Sequence, residues 1–104
     1  MPPVKATVSW PAGAAEPIVT PDPILVPAAN GATVIQWESG ENVSALSISG
    51  LDPDVFHPAA SNGMVNKFST TDANRDAKLY KYTFGATRKG GGTAEVDPRI
   101  QNGA

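Results

Sequence analysis

Hydrophobic and polar residues alternate with a period of two along most of this chain, a pattern that predicts β-strands. In the first run, from Val4 to Trp10, the even-numbered residues are apolar and the residues between them are polar. In the clearest run, from Leu79 to Thr87, the residues Tyr80, Tyr82 and Phe84 share one face. No window repeats with the helical period of about 3.6, so we expect the chain to be all-β.

Turn-forming residues separate these runs and set the expected number of strands. The stretch from Ile18 to Val26 contains two prolines, which predicts a kinked edge strand or a pair of short strands, because proline lacks the N–H that a central strand needs. Residues 55–62 are expected to form one helical turn or an irregular loop, and Thr70 to Ala77 a polar loop. We therefore predict that residues 1–104 form one domain, a Greek-key β-sandwich of about seven short strands, either immunoglobulin-like or cupredoxin-like.

Composition removes several classes of chemistry. The chain has 104 residues, 40% of them hydrophobic, and no cysteine. The hydrophobic fraction suits a globular protein. Without cysteine there is no disulfide, no cysteine-bound zinc, no type 1 copper site and no thiol nucleophile. No pattern in the sequence indicates a cofactor.

The N-terminal sequence and the charge balance narrow the expected partners and location. The run from Met1 to Lys5 lacks the long apolar stretch of a signal peptide or a membrane span. With no disulfide staples either, this predicts a soluble cytoplasmic protein without membrane contact, and a leader removed earlier is the alternative. The net charge of −2 at pH 7 argues against nonspecific nucleic-acid binding.

Two stretches resemble strands of cupredoxins. Gly31 to Trp37 resembles the strand that precedes the first copper ligand, and Tyr80 to Phe84 resembles the Tyr-x-Tyr-x-Cys strand, with Phe84 at the cysteine position. A blue-copper site needs two histidines and a thiolate, whereas this chain has one histidine and no cysteine. The resemblance therefore implies a cupredoxin-like frame without metal ligands and without electron transfer.

Two further resemblances imply the same kind of architecture. Asp76 to Tyr82 resembles the Asp-x-Ala-x-Tyr-x-Cys run of immunoglobulin domains, with Tyr80 as the corner tyrosine. The whole chain resembles the small bacterial proteins grouped as the DP-EP family, through the hairpin from Tyr80 to Thr93 and the run from Asp97 to Asn102. This last resemblance implies a β-sandwich of unassigned function and carries no catalytic residues with it.

One acidic segment has the spacing of a calcium loop. Asp72, Asn74 and Asp76 match the oxygen ligands at the start of such a loop, but Ala77 stands where an EF-hand needs glycine. Two interpretations stay open, a calcium-binding domain at Asp72–Asp76 and a polar turn whose side chains bond their own backbone. We favour the turn.

The single histidine, His57, is the one candidate for catalysis. With a nearby carboxylate it could act as a general base, which would make the protein a small hydrolase or isomerase. No nucleophile motif accompanies it, and Asp52 and Asp54 flank a proline in a pattern typical of a turn. We therefore predict a loop histidine and no catalytic residue.

The remaining candidates are aromatic rings and cations near the ends of the Leu79–Thr87 strand. The predicted binding residues are Tyr80, Tyr82, Lys78, Lys81, Arg88 and Lys89. The tyrosines can contribute to a binding face only if they point outward, and core packing is the competing interpretation. The predicted function is a non-catalytic binding or structural module with a protein partner, which would contact an exposed sheet edge or one set of loops.

Overall fold

The computed structural model describes residues 3–104, and within that range it contains eleven strands, one short 3-10 helix at Ala28–Asn30 and no α-helix. The strands are β1 (Val4–Ser9), β2 (Ile18–Thr20), β3 (Ile24–Val26), β4 (Thr33–Ser39), β5 (Val43–Ser49), β6 (Phe56–His57), β7 (Lys67–Asp72), β8 (Leu79–Lys81), β9 (Thr83–Arg88), β10 (Thr93–Val96) and β11 (Arg99–Asn102). The all-β prediction is confirmed. Met1 and Pro2, part of the sequence from which the cytoplasmic location was predicted, lie outside the described residues.

The strands form two layers around one core. The first layer is a five-stranded sheet in the order β2-β1-β4-β7-β6, in which β1 and β4 are parallel. The second combines two three-stranded sheets, β10-β9-β5 and β3-β11-β8. These two sheets are continuous, because β8 leads into β9, β10 leads into β11, and the Tyr82 N–H donates to the Pro98 carbonyl at 3.1 Å across the junction. The architecture is therefore sandwich-like.

The strand predicted from Leu79 to Thr87 is divided at Tyr82. In the register of this hairpin, Tyr82 lies opposite Pro98. A proline has no N–H, so this pair can form only one of the two hydrogen bonds of an antiparallel pair. The single strand predicted from Leu79 to Thr87 is therefore divided into β8 and β9. The segment that pairs with it is divided into β10 and β11.

The segment predicted as a polar loop, Thr70 to Ala77, is a strand in its first part. β7 continues to Asp72, and its inward residues Phe68, Thr70 and Asp72 are buried. The Thr70 hydroxyl donates to the Pro58 carbonyl at 2.6 Å, which satisfies a polar group inside the protein. Polar residues at inward positions hide the hydrophobic alternation, and this is why the sequence pattern missed the end of β7.

Eleven strands replace the predicted number of about seven. Most of the additional divisions fall at prolines: Pro98 divides the C-terminal hairpin, and the segment Pro21-Asp22-Pro23 separates β2 from β3. As expected for a pair of short edge strands, β2 and β3 each pair with one neighbour only, and they lie in different layers. Residues 55–62 hold the two-residue strand β6, which pairs with the end of β7, instead of a helical turn. No helix in residues 3–104 is long and apolar enough to cross a membrane.

An aromatic contact joins the two layers in the core. Trp37 of β4 and Tyr82 of the second layer are almost completely buried, and their rings meet edge to face at 5.6 Å. The Trp37 indole N–H donates to the Tyr82 hydroxyl at 3.0 Å. The ring of Phe68, which is opposite Trp37 in the register of β4 and β7, lies 5.7 Å from the indole. A buried indole N–H needs an acceptor, so this hydrogen bond fixes how the layers meet.

Tyr82→Phe tests this contact. The substitution keeps the ring but leaves the buried Trp37 N–H without its acceptor, so we expect a loss of about 1–3 kcal/mol in the free energy of unfolding. Urea denaturation followed by tryptophan fluorescence measures the loss. In a double-mutant cycle with Trp37→Phe, a coupling energy near zero would contradict a stabilising role for the hydrogen bond.

Candidate binding surfaces and the buried polar cluster

The two candidate tyrosines point inward. Tyr82 is 2% exposed and belongs to the core. Tyr80 is half-buried, its ring meets Phe56 edge to face at 5.2 Å, and its hydroxyl donates to the Asp76 carboxylate at 2.5 Å. The condition for a tyrosine binding face was that both rings point outward, and the structure does not meet it.

The outer surface of β8, which carries Tyr80, and of its neighbours β11 and β3 is nevertheless exposed and partly apolar. Leu25, Gln101 and Leu79 lie side by side in one row across β3, β11 and β8. The two leucines are 54% and 50% exposed. Arg99 and Lys81 form the next row, and both are exposed. We call these five residues the Leu25–Leu79 face.

Three cations surround the two leucines. Lys81 and Arg99 lie in the adjacent row, and Lys78 immediately precedes Leu79 and is exposed. In the described part of the chain the one ion pair joins Arg99 to Asp22 at 3.8 Å. Two of the sequence-predicted binding residues, Lys78 and Lys81, thus remain on an accessible surface, but with leucines rather than tyrosines beside them.

Sequence reasoning missed Leu25 for an identifiable reason. It lies in the apolar run Ile24-Leu25-Val26, whose outer two residues are buried and whose middle residue is exposed. An unbroken apolar run does not reveal which residues face the core. The alternation rule would have found Leu25 once β3 was known to be an edge strand in the second layer.

The other pair of candidate cations, Arg88 and Lys89, lies at the opposite end of the hairpin. About seven residues of strand separate Arg88 from Lys81, a distance of roughly 20 Å. The Arg88 guanidinium lies over the ring of Trp10, 5.2 Å from its centroid, so its charge is engaged in a cation–π contact. The structure therefore does not bring Arg88 and Lys89 together with Lys78 and Lys81.

The glycines that follow give the tip of this hairpin a defined conformation. Gly90, Gly91 and Gly92 have φ angles of 90°, 109° and 98°, which residues with side chains rarely adopt. The Arg88 N–H donates to the Gly92 carbonyl at 2.9 Å, and the Lys89 N–H donates to the Asn42 carbonyl at 2.9 Å. The backbone N–H groups of Arg88 and Lys89 are thus used to hold the hairpin in place.

The candidate calcium residues belong to a buried polar cluster that also includes Asn102. The Asp72 Oδ1 atom accepts hydrogen bonds from the Asn74 N–H at 2.8 Å and from the Asn102 amide at 3.0 Å. The Asp76 Oδ1 atom accepts from the Lys78 N–H at 3.0 Å and from the same Asn102 amide at 3.4 Å. The Asn102 NH₂ group therefore lies between two carboxylates.

Asn74 connects this cluster to the rest of the fold. Its side-chain amide donates to the carbonyls of Pro27 and Gly31, each at 2.9 Å. Its side-chain oxygen accepts from the Gly103 N–H at 3.2 Å. One side chain thus joins the 3-10 helix, the loop after β7 and the C-terminal residues. Asn74 has a φ of 51°, a backbone conformation that asparagine tolerates better than most residues.

The carboxylates of the cluster have opposite pKa shifts. Burial raises the pKa of Asp72, against the lowering effect of the bonds from Asn74 and Asn102. The hydrogen bond from the Tyr80 hydroxyl lowers the pKa of Asp76, and the same bond raises the pKa of Tyr80 to about 12. Two buried oxygens, Oδ2 of Asp72 and Oδ1 of Asn102, have no hydrogen-bond partner among residues 3–104. A carboxylate oxygen in that position favours the protonated form.

The geometry favours the turn over the calcium loop. The bonds from Asn74 N–H to Asp72 and from Lys78 N–H to Asp76 each span two residues, which is the pattern of an Asx turn. In residues 3–104 no three His, Cys, Asp or Glu side chains lie close enough together to hold a metal ion.

His57 is not assembled with catalytic partners. It is exposed on β6, and within the described chain no ion pair or side-chain hydrogen bond joins it to a carboxylate. Asp52 accepts the Asp54 N–H at 2.9 Å, which is the turn predicted for this segment. In residues 3–104 no side-chain hydrogen bond to a carboxylate orients His57 as a general base.

Comparison with known proteins finds no matching family model and no matching curated protein.

Asp72→Asn tests the protonation of the cluster. Because the folded pKa of Asp72 lies above its ordinary value of 3.8, the stability that Asp72 contributes is complete below that pH and is lost as the pH rises through the folded pKa. Asparagine undergoes no such loss. We therefore expect the melting temperature of Asp72→Asn, relative to wild type, to increase with pH above 3.8 and then to level off.

Asp76→Asn is the matched control. Its pKa is lowered from 3.8, so the stability that Asp76 contributes is present above that pH and is lost as the pH falls through the folded pKa. The two variants should therefore depend on pH in opposite directions. If the difference in melting temperature between Asp72→Asn and wild type does not change with pH, the pKa of Asp72 is the same in the folded and unfolded wild-type chains. That result would contradict the prediction.

Thermal unfolding in calcium separates the two interpretations of Asp72–Asp76. A calcium site predicts a higher melting temperature at millimolar calcium, an increase that Asp72→Asn would remove. Because N–H donors already occupy the Oδ1 atoms of Asp72 and Asp76, we expect no shift. A rise confined to the wild-type protein would establish the calcium-binding domain.

Proposed function

We propose that this chain is a non-catalytic β-sandwich module that binds a protein partner through the Leu25–Leu79 face. The observation that carries the proposal is the row Leu25–Gln101–Leu79, in which both leucines are half-exposed on the same face of one sheet, with one strand between them. Single exposed apolar residues are common on protein surfaces, whereas apolar residues grouped on one flat face are typical of interaction sites.

The chemistry of the face defines the partner. Strands are spaced by roughly 5 Å, so the leucines on the two outer strands are about 10 Å apart with the Gln101 amide between them. Such a surface suits a partner with an apolar centre. Lys78 and Lys81 are exposed beside it and form no ion pair within the described chain. A partner surface with carboxylates around its apolar centre would complement them.

The alternative enzyme function has no comparable support. His57 is exposed, and no hydrogen bond or ion pair joins it to a carboxylate in residues 3–104. The calcium-binding alternative has the buried unpartnered oxygens in its favour, but the N–H donors on both carboxylates against it. The exposed leucines and lysines therefore support a binding module, whereas they support neither an enzyme nor a calcium-binding domain.

The finer fold class is also a proposal. Immunoglobulin domains consist of two antiparallel sheets, whereas here β1 is parallel to β4 and β3 is parallel to β11. These pairs favour the cupredoxin-like frame over the immunoglobulin-like one. Phe84, at the position of the copper cysteine in the resemblance, is fully buried. Membership of the DP-EP family, with its unassigned function, is compatible with a binding module of this kind.

Capture of partners by the immobilised full chain tests the face. Wild-type protein and the variant Leu25→Ser/Leu79→Ser are incubated with a lysate of the native cells, and bound proteins are identified by mass spectrometry. We expect at least one partner to be retained by wild type and lost by the variant. Lys81→Glu should weaken the same partner, because it reverses a charge at the edge of the contact.

The control variant is Val34→Ser/Met64→Ser, which removes two exposed apolar side chains elsewhere, at 39% and 47% exposure. Substitutions at such exposed positions usually change stability by less than about 0.5 kcal/mol, and circular dichroism verifies that both double variants fold. Equal loss of the partner from both double variants, or retention by both, would contradict a binding role for the Leu25–Leu79 face.

A further inference from the structure

A groove separates the free edges of the two layers. It has a volume of about 490 Å³ and is lined by Glu16–Thr20 and Asp22 on one side and by Val96–Pro98 on the other. The first side is formed by β2 and its flanking residues, and the second is the junction of β10 and β11. No residue of the Leu25–Leu79 face lines this groove, and the contact between the two surfaces is the ion pair of Arg99 with Asp22. Substitution of the two leucines therefore leaves the groove lining unchanged.

The outer edge of β10 is unpaired, and it leads into this groove at Val96 and Asp97. Within the described residues β10 pairs with β9 alone. The Arg88 N–H donates to the Gly92 carbonyl, and backbone groups of successive residues in a strand point to opposite sides. In this register the N–H and C=O groups of Thr93, Glu95 and Asp97 point away from β9. They form a short row of free donors and acceptors at the edge of the sheet.

The same edge continues from Arg99 into β11, where other parts of the chain already form hydrogen bonds with it. The next N–H in the series, that of Arg99, donates to the Asp22 carboxylate at 3.0 Å. From Ile100 onward the edge is covered by β3, which pairs with β11 in parallel. The groove is therefore the uncovered part of an edge that β3 occupies further along, and a strand added there would lie end to end with β3.

The charge of the groove lining determines which kind of peptide segment would bind there as an added strand. Glu16, Asp22 and Asp97 contribute three carboxylates to the lining, which contains no lysine or arginine. Asp22 is paired with Arg99 at 3.8 Å, so Glu16 and Asp97 are the carboxylates of the lining that form no ion pair in residues 3–104. The apolar part of the lining includes Ile18, which is 48% exposed on the edge strand β2. Unpaired edge strands in natural proteins are commonly protected by lysine, by proline or by a covering segment. The carboxylates here leave the edge attractive to cations.

We propose that this groove binds an extended basic peptide segment, which adds to the outer edge of β10 as a further strand and places lysine or arginine side chains against the carboxylates of Glu16 and Asp97. Strand addition supplies backbone hydrogen bonds to Thr93, Glu95 and Asp97, and alternate side chains supply selectivity. The segment therefore alternates basic and apolar residues, because successive side chains of a strand point to opposite faces.

Isothermal titration calorimetry with synthetic peptides tests the proposal. The probe is the acetylated and amidated heptapeptide Gly-Lys-Val-Lys-Val-Lys-Gly, and its neutral counterpart has threonine in place of lysine. We expect the basic peptide to bind at least about tenfold more tightly than the neutral one. Backbone N-methylation on alternate residues removes N–H donors without changing charge. Strand addition predicts that one alternate set of methylations abolishes binding and that the other set is tolerated.

Variants of the groove complete the test. Glu16→Gln/Asp97→Asn should weaken the basic peptide about tenfold, whereas the control Glu38→Gln/Glu41→Gln, which removes two carboxylates outside the groove, should leave its affinity unchanged. Leu25→Ser/Leu79→Ser should also bind the peptide as wild type does, so failure of the face and failure of the groove are distinguishable. Equal affinity for basic and neutral peptides, or equal tolerance of both methylation patterns, would overturn the proposal.

Discussion

The hydrogen bond from the Asn102 amide to the Asp72 carboxylate is the constraint on which the accessible surfaces of this protein depend. It joins the last strand to the end of β7 inside the protein, where neither side chain is accessible to water. A buried carboxylate without such a partner would cost several kcal/mol. Because β11 is the central strand between β3 and β8, its position determines which residues form the Leu25–Leu79 face. Asn74 extends the same cluster to the 3-10 helix and to the C-terminal residues.

Prolines decide where sheet edges are left open. Pro98 interrupts the pairing of the C-terminal hairpin, and the segment Pro21-Asp22-Pro23 moves the chain from one layer to the other. The first layer therefore ends at β2, the second ends at β3, and β10 keeps a free edge between them. The Leu25–Leu79 face and the groove meet at the ion pair of Arg99 with Asp22, the one ion pair of the described chain. The lysines lie on the side of the face, and the carboxylates lie on the side of the groove. The charges of this small chain, nearly balanced in total, are thus separated on its surface.

Sequence reasoning was most accurate where a residue's role depends on near neighbours alone. Alternation located the first strand, with Trp10 buried just beyond it, and showed that Tyr80, Tyr82 and Phe84 share a face. The preference of Asp for Asx turns accounted for Asp72 as a turn residue. The local sequence did not reveal that Asn102, thirty residues away, completes the cluster. No local pattern connects a side chain in the last strand, β11, to the end of β7.

Local patterns in the chain were sufficient to establish that this protein is all-β, that it lacks thiol chemistry, and that proline-rich segments would lie at sheet edges. These conclusions follow from the period of the side chains, the absence of cysteine and the missing proline N–H, which act locally. The packing of the two layers was needed to establish that Tyr82 faces Trp37 while Leu25 and Leu79 face water. The alternation of a strand sorts its residues into two faces, but which face becomes the core depends on the layer that packs against it.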